Sequence, residues 1–323
     1  MQLDNHTPFP AMIFRAGIDA ERLCAAVFVR VTYDIVGHEL VVAAEQSWPV
    51  SPPPWESDYG PMDSDEVFYR GGVDLFVFGS ARPWGGTPAT RVDILVEVSS
   101  GFRRHLVVWG ERYWVRQGQD LVPSGPVPFQ EIPLTLENAY GGQDEWDELP
   151  IPYPDNPDGK GYYIDAESAE GKPLPNIEDP ATLIRRWDDR PEPVGMGATT
   201  MAFGPRARRG AEFDDETGIL KKIKPEFFNS AFPDLVVPEV LPGQALRISG
   251  VHPDGPIGFV LPNPGLFTRL RFGEEVVEKE LRIDQIGVEV DRGRAFVSYR
   301  YPFRYRMIPL QERACELFFT GEA

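Results

Sequence analysis

Four histidines, His6, His38, His105 and His252, are the first place to look for acid–base or metal chemistry. They stand far apart, without metal-ligand spacing and without a His-Glu-x-x-His helix, so no metal ligand is expected among them. His105 sits in an apolar run and reads as a strand residue. His252-Pro253-Asp254-Gly255 offers a His–Asp pair, but Pro-Asp-Gly is a turn sequence and the turn is the expected reading. Three acidic clusters could offer oxygens to calcium: Asp63-Ser64-Asp65-Glu66, Asp155 to Gly159, and Glu212 to Glu216. None has the alternating ligand spacing of a calcium loop. The first two are expected to be solvated turns and the third a charged surface loop. Gly-rich phosphate cradles and the Gly-x-Ser-x-Gly nucleophile elbow are missing too. No catalytic, metal or cofactor residue is therefore assigned.

Two basic patches remain, Arg206-Ala207-Arg208-Arg209 and Arg300-Tyr301-Pro302-Phe303-Arg304-Tyr305-Arg306. Cations interleaved with aromatics can stack on bases or on a protein. The chain carries a net charge of −18, which repels phosphate backbones and anionic membranes. A protein partner, or internal pairing with acids, is the expected role.

The elements that must position these residues read as strands. With 31 Gly and 33 Pro in 323 residues, helical bundles are excluded, while 42% hydrophobic content supports a sizeable core. Val27, Val29, Val31, Tyr33 and Ile35 alternate with Phe28, Arg30, Thr32 and Asp34, predicting a half-buried strand. Gly37-His38 turns it into Leu40–Val42. A second hairpin joins Val92–Val98 to His105–Trp109, and Asp74–Gly79 reads as a more buried strand. After Pro238 the candidate strands are 244–248, 258–261, 266–272, 276–282, 286–290 and 295–301, followed by a terminal helix over 312–319.

Between them, residues 137–190 hold fourteen acids and five bases, many turn residues, and the aromatics Tyr140, Trp146, Tyr153, Tyr162, Tyr163 and Trp187. This is expected to be a long ordered loop region packed on the scaffold, with one short helix over 181–187. The fold expected is mainly β: two β-rich, sandwich- or barrel-like antiparallel segments, 1–136 and 236–323, around a loop-rich acidic centre, 137–235, with few short helices. The two segments could stand apart or form one composite domain. Cys24 and Cys315 show no redox spacing, the N-terminus lacks a signal-peptide pattern, and no stretch is long and apolar enough to span a membrane. A cytoplasmic protein is expected.

Seven phrases in order carry a resemblance. They are Asn5-His6-Thr7-Pro8-Phe9, Phe28 to Asp34, Pro133 to Gly142, Asp155-Asn156-Pro157 with Gly159 and Gly161, Leu174 to Pro180, Phe227 to Leu235, and Val251 to Gly255. Together they resemble domain-of-unknown-function family 2169, encoded in bacterial type VI secretion clusters beside genes for the VgrG spike. The resemblance implies a non-enzymatic adaptor or loading chaperone. Such a protein would bind an effector with a PAAR-like N-terminal domain and help seat it on VgrG. The phrases themselves, rich in Gly, Pro and Asn, read as scaffold turns.

For such a role the contact residues expected are Trp146, Tyr162, Tyr163 and Trp187 of the acidic centre, with Arg300, Arg304 and Arg306. The alternative is a cell-wall-directed hydrolase or carbohydrate-binding β protein, using paired carboxylates and seven tryptophans as stacking surface.

Overall fold

The computed structural model describes residues 1–19 and 21–321. Its centre is a long antiparallel pair, Arg22–Val36 against Arg294–Arg306, in register from Arg22 opposite Arg306 to Asp34 opposite Arg294. On its other edge Arg22–Val36 takes Ala11–Gly17 along its first half and Glu39–Val42 along its end. From Glu39–Val42 the sheet continues through Ile257–Val260, Ala245–Ser249, Arg91–Val98, Arg103–Trp109 and Ile177–Glu178. From Arg294–Arg306 it continues through Arg282–Glu289, Val73–Phe78 and Val236–Val237. Strands from both β-rich segments thus alternate in one twelve-stranded sheet. A second sheet orders Leu3–Asn5, Arg313–Phe319, Leu266–Phe272 and Glu275–Glu280. The fold is mainly β, and α-helix among the described residues is confined to Ala166–Ala169 and Gly204–Gly210. Pairing is not purely antiparallel, since Val73–Phe78 runs parallel to Arg282–Glu289 and Leu3–Asn5 parallel to Arg313–Phe319.

Period-two patterning accounts for most of these strands. Val27, Val29, Val31 and Tyr33 join Val297, Tyr299 and Ile286 in the main core, and the hairpins turn where glycine allows a positive φ, as at Gly37 and Gly293. Two expected helices are absent. Residues 313–319 form a strand instead, because Leu266–Phe272 on one side and Leu3–Asn5 on the other offer it a complete hydrogen-bond ladder. Over 181–187 the backbone amides are claimed by side chains. Glu178 Oε2 accepts from the Ile184 amide, and Asp189 Oδ2 from those of Arg185 and Arg186, so no helical ladder forms.

The central strand also departs from its half-buried reading, since residues 24–33 are buried on both faces. Its polar face is roofed by the segment 43–72. Arg30 bonds Asp65 at 2.7 Å, Gln285 at 3.0 Å and Ser298 at 2.9 Å. Arg300 donates to the Val67 carbonyl at 2.5 Å and stacks on Phe28, and its Nε lies 3.1 Å from Asp284. Arg70 joins Asp284 to Asp74, whose carboxylate also accepts from Asn229 and from the amides of Ser230 and Ala231. Burial works against the charge on Arg70, but Asp284, Asp74 and Asp65 outweigh it and hold its pKa up. Three arginines thus meet three aspartates inside the core, a balance that removing any one partner would upset. Asp63 and Asp65 are accordingly ligands of buried arginines, not members of a solvated turn.

The acidic centre folds around its own small core of Trp114, Leu121, Tyr140, Tyr163, Leu174 and Ile184. Its loops are tied by a knot between two of the glycine-rich phrases. Asn156 donates from Nδ2 to the carbonyls of Leu136 and Tyr140, and its own carbonyl accepts from the Gly142 amide. Gly141, at φ +149°, passes so close that a Cβ there would lie 2.1 Å from the Asn156 oxygen.

Candidate docking surfaces

Where the acidic centre meets the main sheet it leaves a cleft of about 770 Å³. The sheet side supplies Val77 to Ser80, and the facing walls are Pro133–Glu137, Pro154–Asp158 and the stretch from Gly197 to Phe203. Phe78, Leu134, Leu136, Phe203 and Phe232 give it an apolar lining, with carboxylates at the rim. Three rim acids already have arginine partners: Asp155 takes both ends of Arg208 at 2.7 Å, Asp58 takes Arg292 at 2.5 Å, and Asp291 takes Arg82. Nearby, burial and the Glu289 carboxylate push the Tyr59 phenol up to about 12, so it stays a neutral donor to Glu289.

Two β-hairpins leave directly from the cleft walls. Gln143–Trp146 pairs with Leu149–Pro152 ahead of the Pro154–Asp158 wall, and Ala211–Phe213 pairs with Leu220–Ile223 beyond Phe203 and the Gly204–Gly210 helix. Both carry large apolar side chains into solvent. Trp146 and Leu149 face one another across the first tip and are each 64% exposed, while Phe213, Ile219, Leu220 and Ile223 are exposed on the second. The first tip turns through Asp147 and Glu148, both at positive φ (51° and 64°). That two-residue turn suits Asn-Gly, and placing two acidic residues there stores strain. Asp144 staples this hairpin to the Ala166–Ala169 helix by accepting from Ser168 Oγ at 2.6 Å and the Ile164 amide at 2.8 Å. Burial pushes the Asp144 pKa up, yet these hydrogen bonds outweigh it and the carboxyl ends below its ordinary value. On the second hairpin, Lys221 and Thr217 hold the Asp214 carboxyl down to about 2.

The residues picked out by sequence fall into different settings. Trp146 is at the exposed hairpin tip. Tyr162 and Trp187 are half-buried against the small core, with Arg190 stacked on Tyr162, and Tyr163 is buried with its hydroxyl on the Pro173 carbonyl. Arg300 is 3% exposed and belongs to the core charge network, whereas Arg304 and Arg306 are exposed. The Arg206–Arg209 patch pairs internally: Arg206 with Asp63, Arg208 with Asp155 and Glu192, and Arg209 with Glu192 and Asp234. Of the tryptophans, Trp48 and Trp114 are buried and Trp109 lies between Arg91 and Arg112, leaving Trp84 and Trp146 as the widely exposed ones. The apolar hairpin faces were missed by sequence reasoning. Their signal was present in the Trp-Asp-Glu-Leu turn and in Ile219-Leu220 beside the acid run.

A second concavity, of about 410 Å³, opens at the far end of the central strand pair, where Arg22, Arg304 and Arg306 gather around Ile18, Cys24 and Phe68. Arg22 is bound to Asp19, and the Arg304 guanidinium lies 5.6 Å from the Phe68 ring centre.

With this geometry in place, the chain can be set beside known proteins. The model of a family described as "Uncharacterized protein conserved in bacteria (DUF2169)" matches residues 20–300. No curated protein and no solved structure matches the chain. The match spans most of the sequence, and the chain belongs to that family.

Proposed function

We propose that this DUF2169 member is a non-enzymatic type VI secretion adaptor. It binds an effector through a PAAR-like N-terminal domain and helps load it onto the VgrG spike from the cytoplasmic side. The observation that carries the reading is the first hairpin tip, where Trp146 and Leu149 stand exposed beside two acids held in strained turn conformations. Exposed aromatic and aliphatic anchors with polar neighbours are the anatomy of a protein interface, and strain kept at a surface tip has no use to the fold itself. The cleft at the base of both hairpins supplies apolar depth, and its rim carboxylates are largely occupied by arginines in structural ion pairs. No helix among the described residues is long and apolar enough to cross a membrane.

The test is co-expression with the effector and VgrG encoded beside this gene, followed by size exclusion. A stable effector complex is expected, weakened roughly tenfold or more when Trp146→Ser and Leu149→Ser are combined. An effector that stays soluble alone and never co-elutes with this protein would overturn the adaptor reading.

A further inference from the structure

One face of the central strand pair carries a column of five arginines. Alternation places Arg22 and Arg30 on that face of one strand, and Arg300, Arg304 and Arg306 on the same face of its partner. The inner two, Arg30 and Arg300, are buried beneath the segment 63–70, which lays Asp65 and the Val67 carbonyl across them, and both stack on Phe28. The outer three reach solvent at the edge of that segment, where its Phe68 lies against Arg304. There Arg22 lies directly opposite Arg306, a like-charge pairing that a sheet does not favour. Asp19 neutralises Arg22, while Arg304 and Arg306 have no carboxylate partner among the described residues.

We infer that this end of the column is a docking pocket for an acidic segment of a second protein. The molecule shows on its inner half how such a column is satisfied, with a carboxylate from the covering segment on the guanidinium and the ring of Phe28, from the strand itself, on its flat face. The outer half presents the same groups with Phe68 already in place and the covering carboxylates missing. A long polyanion is the poorer occupant: three arginines make a short site, and the −18 chain around them repels extended charge.

This surface is separate from the cleft. Asp291, on the cleft rim, precedes the Arg294 end of the strand, and the pocket is at the Arg306 end, roughly 40 Å away at the rise of a β-strand. The inference does not rest on the effector reading and survives its failure.

The experiment uses the full chain and a short fluorescent peptide of Asp, Glu and Phe, read by anisotropy, with inorganic pyrophosphate as competitor. Binding is expected to weaken about tenfold in Arg304→Ala/Arg306→Ala, and less in the double lysine variant, which keeps charge but loses the forked geometry. The Trp146→Ser/Leu149→Ser protein should bind the peptide as wild type does. Rising salt should weaken binding through screening. Equal binding by wild type and the alanine variant, or no binding at all, overturns the inference. Pyrophosphate binding tighter than the peptide, and displacing it, would reassign the pocket to phosphate.

Discussion

The two ends of the central strand pair treat charge in opposite ways. At the cleft end Asp58, Asp155 and Asp291 are each matched by an arginine of the same chain, and apolar side chains are left exposed beside them. At the other end the apolar surface is modest, and Arg304 and Arg306 are the groups left without carboxylates. A partner at the first end gains chiefly by burying Trp146, Leu149 and their neighbours, whereas a partner at the second gains by completing ion pairs. The two proposed surfaces should therefore differ in selectivity, and their responses to salt and substitution should separate them.

The largest contrast is expected along the arginine column itself. Arg30→Ala leaves Asp65 buried without its main partner and should cost about 3–5 kcal/mol. Arg304→Ala removes an exposed group of the same type and should stay within about 0.5 kcal/mol. Urea denaturation of the two variants measures both, and comparable losses would break the distinction between inner and outer halves.

A smaller effect separates fold from binding at the hairpin tip. Replacing Asp147-Glu148 by Asn-Gly relieves the strained turn and should stabilise the protein by about 1 kcal/mol. If the tip is kept for docking, effector capture should weaken in the same variant. A rise in melting temperature with unchanged capture would make the turn a structural oddity.

The smallest concerns Asp144, whose folded pKa lies below its ordinary 3.8. A lowered carboxyl pKa contributes stability above the unfolded value, and that contribution is lost as pH falls through the folded one. The Gln143–Pro152 hairpin should therefore loosen from its helix below about pH 4. The Trp146 contribution to fluorescence, taken as the difference from a Trp146→Phe variant, would follow this. Asp144→Asn should blunt the transition.

The strands were legible because alternation and turn residues agree, as at Val92–Val98 and His105–Trp109 around Ser99-Ser100-Gly101. The roof over the central strand was not. Arg30 and Thr32 look like solvent-facing residues until Asp65, more than thirty positions from Arg30, and Gln46 beside Thr32 are known to cover them. Arg300 was misplaced for the same reason, since composition does not say which arginines find buried partners. Three of the glycine-rich phrases tie the scaffold together: Gly141, Gly142 and Asn156 form one knot, and Asn229 and Ser230 grip Asp74. Of the proposed contact surface, Trp146 was visible by residue type, while Leu149 and the second hairpin depended on which apolar side chains the fold leaves outside.

The long strand pair also dictates when the protein can exist during synthesis. Arg30 and Ser298, hydrogen-bonded across it, are 268 residues apart, and the strand from Arg294 to Arg306 separates two halves of the sheet. Until the ribosome has delivered that strand, the earlier strands lack their central neighbour and present open, aggregation-prone edges. Closure of the sheet therefore waits for residues 294–306, and slow folding is expected of a topology dominated by distant contacts. If the proposed docking surfaces serve a partner, they become available only once residues 294–306 have joined the sheet.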